Sequence, residues 1–256
     1  MAAQCEPEAV SYRVQTDDVR LQQSKAQVQT AELFVGKDPA PGGMYNANLG
    51  PTDMRHKCNS CHFGRRGCPG HPGHIQLPFP LLLPLAVGES RKWLRIVCLR
   101  CSALMFDPST NSRIRACPAS RRLGMAAAVS NTAGMVCANC GETHPKIVKT
   151  GDDNFTYSKQ WQRKGRLVEE PIYPYELDRV FKRISDEVVR ALGRDPMVAH
   201  PRSFLIHNLQ VPPVSIRPAV RMMGPGGFGS SCHDINSILQ YISKATEKAT
   251  GGAGPV

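Results

Sequence analysis

Between Cys58 and His74 the chain reads CNSCHFGRRGCPGHPGH, three cysteines and three histidines within seventeen residues. The spacing is Cys58-x2-Cys61, then Cys68-x2-His71. Each pair can turn tightly and offer two soft donors, so the two pairs together suit one tetrahedral ion. Zinc fits best, being redox-inert and accepting thiolate and imidazole in one shell. Four protein donors leave no position for water, which points to a structural site rather than a catalytic one. His74 lies within reach of the same knuckle and is the alternative to His71. His71 is preferred because Cys-x2-His mirrors Cys-x2-Cys. His62 is read as a solvent or phosphate contact.

A second set follows, Cys98-x2-Cys101 and then Cys137-x2-Cys140-Gly141, with thirty-five residues between the pairs. So long an insertion is tolerable because loop-closure entropy grows slowly with length. Cys117 falls inside the insertion and is the alternative third ligand. Cys137 is taken first because Cys-x2-Cys-Gly reads as a complete knuckle. A hydrolase would need an open zinc position and a nearby base. The chain has neither His-Glu-x-x-His nor a deaminase-type His-x-Glu. The stretch Gly224 to Gly229, GPGGFG, lacks the Lys-Ser/Thr of a phosphate loop and is expected to be a flexible turn.

Composition narrows the setting. The 256 residues include 10 cysteines, 22 glycines and 21 prolines, with 6% aromatic content. Such a chain buries a discontinuous core. No secretory signal is evident, so a reducing intracellular compartment is expected, where paired cysteines bind metal rather than form disulfides. The most apolar run, Ile75 to Val87, has 13 residues and three prolines, short of the ~20 a spanning helix needs. No membrane partner is expected. Net charge is +11, and it is concentrated: residues 54–122 carry a net +10, against −3 for residues 1–53 and +4 for residues 123–256. A concentrated positive field is the footprint of a polyanion partner.

The elements that hold these groups are short. Residues 1–16 read as extended, and Thr16-Asp17-Asp18 starts a short helix through Val19 and Leu21. Residues 36–53 are loop and turns. Residues 54–150 should hold little regular structure beyond short strands and a helical piece near Glu89–Trp93. Residues 172–193 read as one helix, with Leu177, Val180, Phe181, Ile184, Val188 and Leu192 as its stripe and Gly193 as its cap. Phe204 to Val220 should run extended. A last helix from Asp234 has the stripe Ile235, Ile238, Leu239, Ile242 and Ala245. The expected class is irregular α+β, a zinc-stabilised fold of knuckles, short strands and a few packing helices. Three regions follow: 1–53 packing on the rest, 54–150 as a basic zinc-binding region with two sites, and 151–256 as core helices and a Pro-rich crossing.

The order of motifs is familiar. NLGPTDMRHKCNSC, CPGHPGHIQL, VCLRC, CANCGETHPKI, VFKRIS followed by LG, and LQVPPVSIRPAV occur in sequence. In this order they resemble the N-terminal, clamp-forming part of the largest subunit of multisubunit DNA-directed RNA polymerases. Pro72 stands where that family usually has an aromatic, and Gln210 where it usually has a proline. The divergence looks like that of a viral or parasite polymerase. The resemblance implies one clamp zinc on Cys58, Cys61, Cys68 and His71. It implies a second on Cys98, Cys101 and Cys140, completed by Cys137 or Cys117. It also implies a nucleus as location, or host nucleus or cytoplasm for a virus.

The implied role is to close over DNA and the DNA–RNA hybrid beside other polymerase subunits, including the second-largest. Arg65, Arg66, Arg113, Arg115, Arg121 and Arg122 are the candidate phosphate contacts, of the kind that hold position without reading sequence. The family's catalytic Asn-Ala-Asp-Phe-Asp-Gly-Asp loop has no counterpart, and Asp152-Asp153 lacks its pattern. Magnesium is therefore expected only in the complete polymerase. This chain alone should be inactive, as a fragment or one piece of a split subunit. The competing class is a free-standing zinc-stabilised module that binds nucleic acid.

Overall fold

The computed structural model describes residues 15–36, 38–130, 132–150, 156–163, 166–218, 220–224, 227–231 and 233–250. In chain order the elements are α1 (Asp17–Gln23), β1 (Phe34–Val35), β2 (Asp38–Pro39), β3 (Gly73–Leu82), α2 (Val87–Leu94), α3 (Ser112–Ala116) and α4 (Ala119–Val129). There follow β4 (Lys146–Thr150), β5 (Thr156–Arg163), β6 (Arg166–Ile172), α5 (Pro174–Lys182), α6 (Asp186–Ala191), α7 (Pro196–Ala199), β7 (Leu205–Val211), β8 (Val220–Gly224), β9 (Gly227–Ser231) and α8 (Asp234–Ala249). The fold is irregular α+β, as expected. Its sheets are small: β1 with β2, β3 with β7, antiparallel β4-β5-β6, and β8 with β9. Residues 1–14, Asp152-Asp153 and residues 225–226 lie outside the described residues; of the stretch Gly224 to Gly229, expected to be a flexible turn, Gly224 ends β8 and Gly227, Phe228 and Gly229 lie in β9.

Two compact units divide the chain. Pro80–Leu205 make one, and Thr16–Phe79 with the segment from Ile206 onward make the other. The first has its core in Trp93, Leu94, Ile96 and Val97 at the end of α2, Leu123 and Ala126 of α4, Tyr157 of β5, and Phe181, Val189 and Leu192. The second packs Met44, Tyr45 and Leu49 against Ile75, Val211, Val214 and Leu239.

Local chemistry explains where the elements begin and end. In α1, Thr16 accepts from the Val19 N–H and Asp17 and Asp18 occupy the first turn, where the helix dipole favours acids. Asp17 also pairs with Arg20 at 2.9 Å and accepts from the His207 and Asn208 backbone N–H groups. The expected single helix over 172–193 is two. Leu177, Val180, Phe181, Ile184 and Leu192 of its stripe are buried, but Val189 is buried in place of Val188, which is half-buried, and the chain breaks after Lys182, where Ser185 takes an extended backbone and accepts the Val188 N–H to start α6. A side-chain cap in mid-run competes with helix continuation, and here it wins.

At the end of α6, Gly193 has φ of +73°, and two bonds close the turn: Gly193 N–H to Arg190 O at 2.9 Å and Arg194 N–H to Val189 O at 3.1 Å. The insertion between the second cysteine pairs, expected to be largely irregular, contains α3 and the eleven-residue α4. Asn111 caps α3 through the N–H groups of Arg113 and Ile114. In α8 the buried face is Asn236, Leu239 and Ser243, and Ile238 is 60% exposed, so the face is rotated from the apolar stripe.

Candidate metal centres

Three of the four knuckles share one backbone geometry. In each, the N–H of the residue after the second cysteine donates to the carbonyl of the first. These bonds are His62 to Cys58 at 2.8 Å, Ser102 to Cys98 at 2.9 Å and Gly141 to Cys137 at 2.8 Å. The N–H of each first cysteine donates one residue further on: Cys58 to Phe63 at 3.0 Å, Cys98 to Ala103 at 2.8 Å and Cys137 to Glu142 at 2.8 Å. That closure requires a left-handed residue. His62, Ser102 and Gly141 have φ of 61°, 63° and 71°. Glycine adopts this conformation freely and other residues pay for it. Only Gly141 announced the turn in the sequence. His62 and Ser102 were missed as its structural equivalents.

The fourth knuckle, Cys68-Pro69-Gly70-His71, closes differently. Cys68 N–H donates to Gly64 O at 2.9 Å and His71 N–H to Leu49 O at 3.0 Å. Gly70 has φ of +83°, and a Cβ there would run into Ser215 and Pro213. The turn at Val214–Ile216 therefore backs this knuckle, and Ser215 Oγ donates to Pro69 O at 3.2 Å.

The side chains converge in two groups. The donor atoms of Cys58, Cys61, Cys68 and His71 lie within 4.8 Å of one another, and so do those of Cys98, Cys101, Cys137 and Cys140. Across the second group the sulfurs are 3.5 Å apart for Cys98–Cys140 and 3.6 Å for Cys101–Cys137. In the first, Cys68 Sγ is 3.7 Å from His71 Nε2. A tetrahedron with Zn–S bonds of about 2.3 Å has S···S edges of about 3.8 Å, whereas a disulfide would need about 2.05 Å. The donor sets fit two closed metal centres. Cys117 ends α3 away from the second group, and His74 is engaged by Ser24 Oγ at 2.8 Å from its Nδ1. Both alternatives left open by the sequence are thus outside the clusters.

The electrostatics are those of sites made for a cation. Burial pushes the Cys68 thiol up to about 11 against the Gly70 N–H, with Cys61 and Cys58 adding to the rise. Burial likewise pushes Cys98 up to about 12, with Cys140 and Cys101 beside it. In Cys101 burial is outweighed by the Ala103 N–H, the Asn139 side chain and the sulfurs of Cys137 and Cys140, which bring the thiol down to about 6. Within one cluster some sulfurs hold charge and their neighbours hold protons. A bound dication would let all of them ionise, and its uptake would release protons.

Each centre is tied to its own unit. Buried His144 sets Nε2 between the carbonyls of Leu94 and Val97, at 3.1 and 3.0 Å, which fixes the Cys137 knuckle to the end of α2. Burial pushes the His144 pKa down, keeping the ring neutral. In the other unit Arg217 is fully buried. It donates to Pro212 O at 2.8 Å, to Asn236 Oδ1 at 2.7 Å and to Met44 O, and lies 5.4 Å over the Tyr45 ring. Its role as the anchor behind the first centre was not legible, because its partners come from three separate segments.

The six arginines named from sequence are scattered. Arg65 and Arg66 are exposed on the loop between Cys61 and Cys68, and Arg65 lines a cavity of about 160 Å³ with Thr52 and Ser215. Arg113 and Arg115 are exposed on α3 and Arg121 on α4. Arg122 is half-buried and donates to Ala191 O at 3.3 Å, a packing contact.

Fold and sites together define a class: an irregular α+β chain whose Gly/Pro-rich segments are held by two closed four-donor centres. Residues 5–249 match the family described as RNA polymerase Rpb1, domain 1, and the chain belongs to that family. It corresponds to the N-terminal, clamp-like region of the RNA polymerase largest subunit, and its 256 residues contain no Asn-Ala-Asp-Phe-Asp-Gly-Asp motif. Among its relatives is the DNA-directed RNA polymerase RPB1 homolog of African swine fever virus, 38% identical over 242 residues, covering 94% of this chain and 16% of that protein. Another is the DNA-directed RNA polymerase subunit Rpo1N of Sulfolobus acidocaldarius, 28% identical over 255 residues, covering 95% of this chain and 28% of that subunit. The chain thus spans about a sixth of the viral relative's length. Among the described residues no helix is long and apolar enough to cross a membrane.

Proposed function

We propose that this chain works as the clamp part of a DNA-directed RNA polymerase, holding DNA and the DNA–RNA hybrid while RNA is made. The observation that carries the reading is the pair of four-donor clusters in a chain whose family match runs from residue 5 to 249. Cys58, Cys61, Cys68 and His71 would hold one zinc, and Cys98, Cys101, Cys137 and Cys140 a second. The metal supplies rigidity to segments whose burial alone is marginal. Magnesium chemistry belongs to the complete enzyme, as do the other subunits, the second-largest among them. The basic region 54–150 would face phosphate. Arg65, Arg66, Arg113, Arg115 and Arg121 are the better-placed contacts, because Arg122 is committed to packing. The seven thiols of the two clusters and that of Cys117 form no disulfide, which suits a reducing compartment in the nucleus or in an infected cell.

A tagged copy of the chain, purified from its native source, tests the reading. Co-purification of a second-largest polymerase subunit and of the catalytic aspartate loop, on whatever chain carries it, is the expected result. Recovery of nucleic acid without polymerase subunits would overturn it in favour of a free-standing binding module.

A further inference from the structure

Arg91, Arg95 and Lys146 line one cavity of about 230 Å³. The two arginines lie one turn apart at the end of α2, and Lys146 opens β4. No carboxylate lines the cavity, and none of the three cations has an ion-pair partner among the described residues. The nearest acid on the helix, Glu89, is already engaged by Lys92 at 2.7 Å and by Arg194 at 3.1 Å. Three like charges facing one space repel each other and are stabilised by an anion between them.

The C-terminal end of a helix would ordinarily disfavour an anion, because its unpaired carbonyls carry partial negative charge. Here that end is quenched. Thr132 Oγ1 donates to Arg95 O, and the His144 ring lies within hydrogen-bond reach of both Leu94 O and Val97 O. Ser130, in the same lining, has a hydroxyl without a partner among the described residues. Two guanidinium forks and an ammonium match the tetrahedral oxygens of phosphate better than they match a planar carboxylate alone.

We propose that this cavity is a phosphate-binding site. A nucleic-acid backbone is the expected source, and that source rests on the clamp reading. The phosphate chemistry itself does not.

The test uses the zinc-loaded full chain, with Arg91→Gln, Arg95→Gln and Lys146→Gln combined and Lys244→Gln as a charge control on exposed α8. Binding of a fluorescein-labelled DNA duplex is followed by anisotropy across a salt series. For one phosphate neutralised, the slope of log affinity against log salt should drop by about 0.9 in the triple variant. The parent should therefore lose about 3.5-fold more affinity than the variant between 50 and 200 mM salt. A second arm measures the thermal shift given by sodium phosphate at constant ionic strength. A shift in the parent alone, with no change in DNA slope, upholds the site and assigns it to free phosphate. Arg91→Lys with Arg95→Lys keeps the charge but not the forks, so it should keep the salt slope on DNA while the phosphate-induced thermal shift shrinks, and the retained slope guards against a folding defect. A triple variant that matches the parent in both arms overturns the proposal, as does a lysine variant whose salt slope falls as far as that of the triple variant. Co-purification with polymerase subunits is read independently, so either idea can fail alone.

Discussion

Replacing Arg217 with methionine should unlatch the first metal centre while leaving the second intact. The guanidinium satisfies three acceptors from separate segments: Pro212 O, Asn236 Oδ1 and Met44 O. Methionine fills similar space but donates nothing. Three buried acceptors would then lack a partner, at about 1–3 kcal/mol each. Part of that is offset because the desolvation of Arg217 itself, which brings its pKa down to about 10, is recovered. The expected net loss is about 3–5 kcal/mol, three unpaired buried acceptors less the recovered desolvation. The same change frees the turn at Val214–Ile216, whose Ser215 donates to Pro69 beside the Cys68 ligand. Urea unfolding followed by circular dichroism reads the first effect. Zinc release to a chromogenic chelator reads the second: one zinc per chain should leave faster, and the other should leave at the parent rate. A loss under 1 kcal/mol, or faster release of both zincs together, would refute the latch argument.

Zinc content of the purified chain should be two per molecule. Cys137→Ser should reduce it to one while Cys117→Ser leaves it at two, and the reverse pattern would show that the geometry at residue 137 is not the metal-bound one. Gly193→Ala should cost about 1–3 kcal/mol, since alanine at a left-handed position is strained and its Cβ would also collide with the Ala119 carbonyl; a neutral result in thermal melts would contradict this. Ser102→Gly should raise stability by about 0.5–1 kcal/mol by relieving the left-handed turn after Cys101, with zinc content unchanged. Burial lowers the pKa of His144 and His200, so their neutral forms stabilise the fold above the unfolded histidine value of about 6.5. That stability is lost as pH falls through the lower folded values, by up to about 1.4 kcal/mol per pH unit for each group. His200→Gln should flatten the decline measured in urea between pH 6.5 and 5.0.

Ligand chemistry was written in local spacing. Two donors with two residues between them can face the same way when the chain turns tightly, so the grouping of Cys58, Cys61, Cys68, Cys98, Cys101 and Cys140 was legible without coordinates. Caps were equally local: Thr16 ahead of two aspartates and Gly193 after an apolar stripe each act within one helical turn. Ambiguity began where a choice depended on distance along the chain. Cys117 and Cys137 are both cysteines at acceptable loop lengths, and loop entropy separates them too weakly to decide. Tertiary packing separates them in space: Cys117 lies at the end of α3, while the Cys137 knuckle is tied to α2 through His144 and joins the four-donor cluster.

The same division explains the break between α5 and α6, where a serine cap won over a continuous apolar stripe, and the rotation of α8, where Arg217 draws Asn236 inward. Charge was legible as a total and not as a place. The +10 of residues 54–122 includes Arg122, which packs on Ala191, and Arg91 and Arg95, which meet Lys146 from outside that segment. Spacing sets which groups a single turn of chain can bring together. Only the packing of distant segments, driven by burial of their shared cores, selects among groups that the backbone alone could bring together in more than one way.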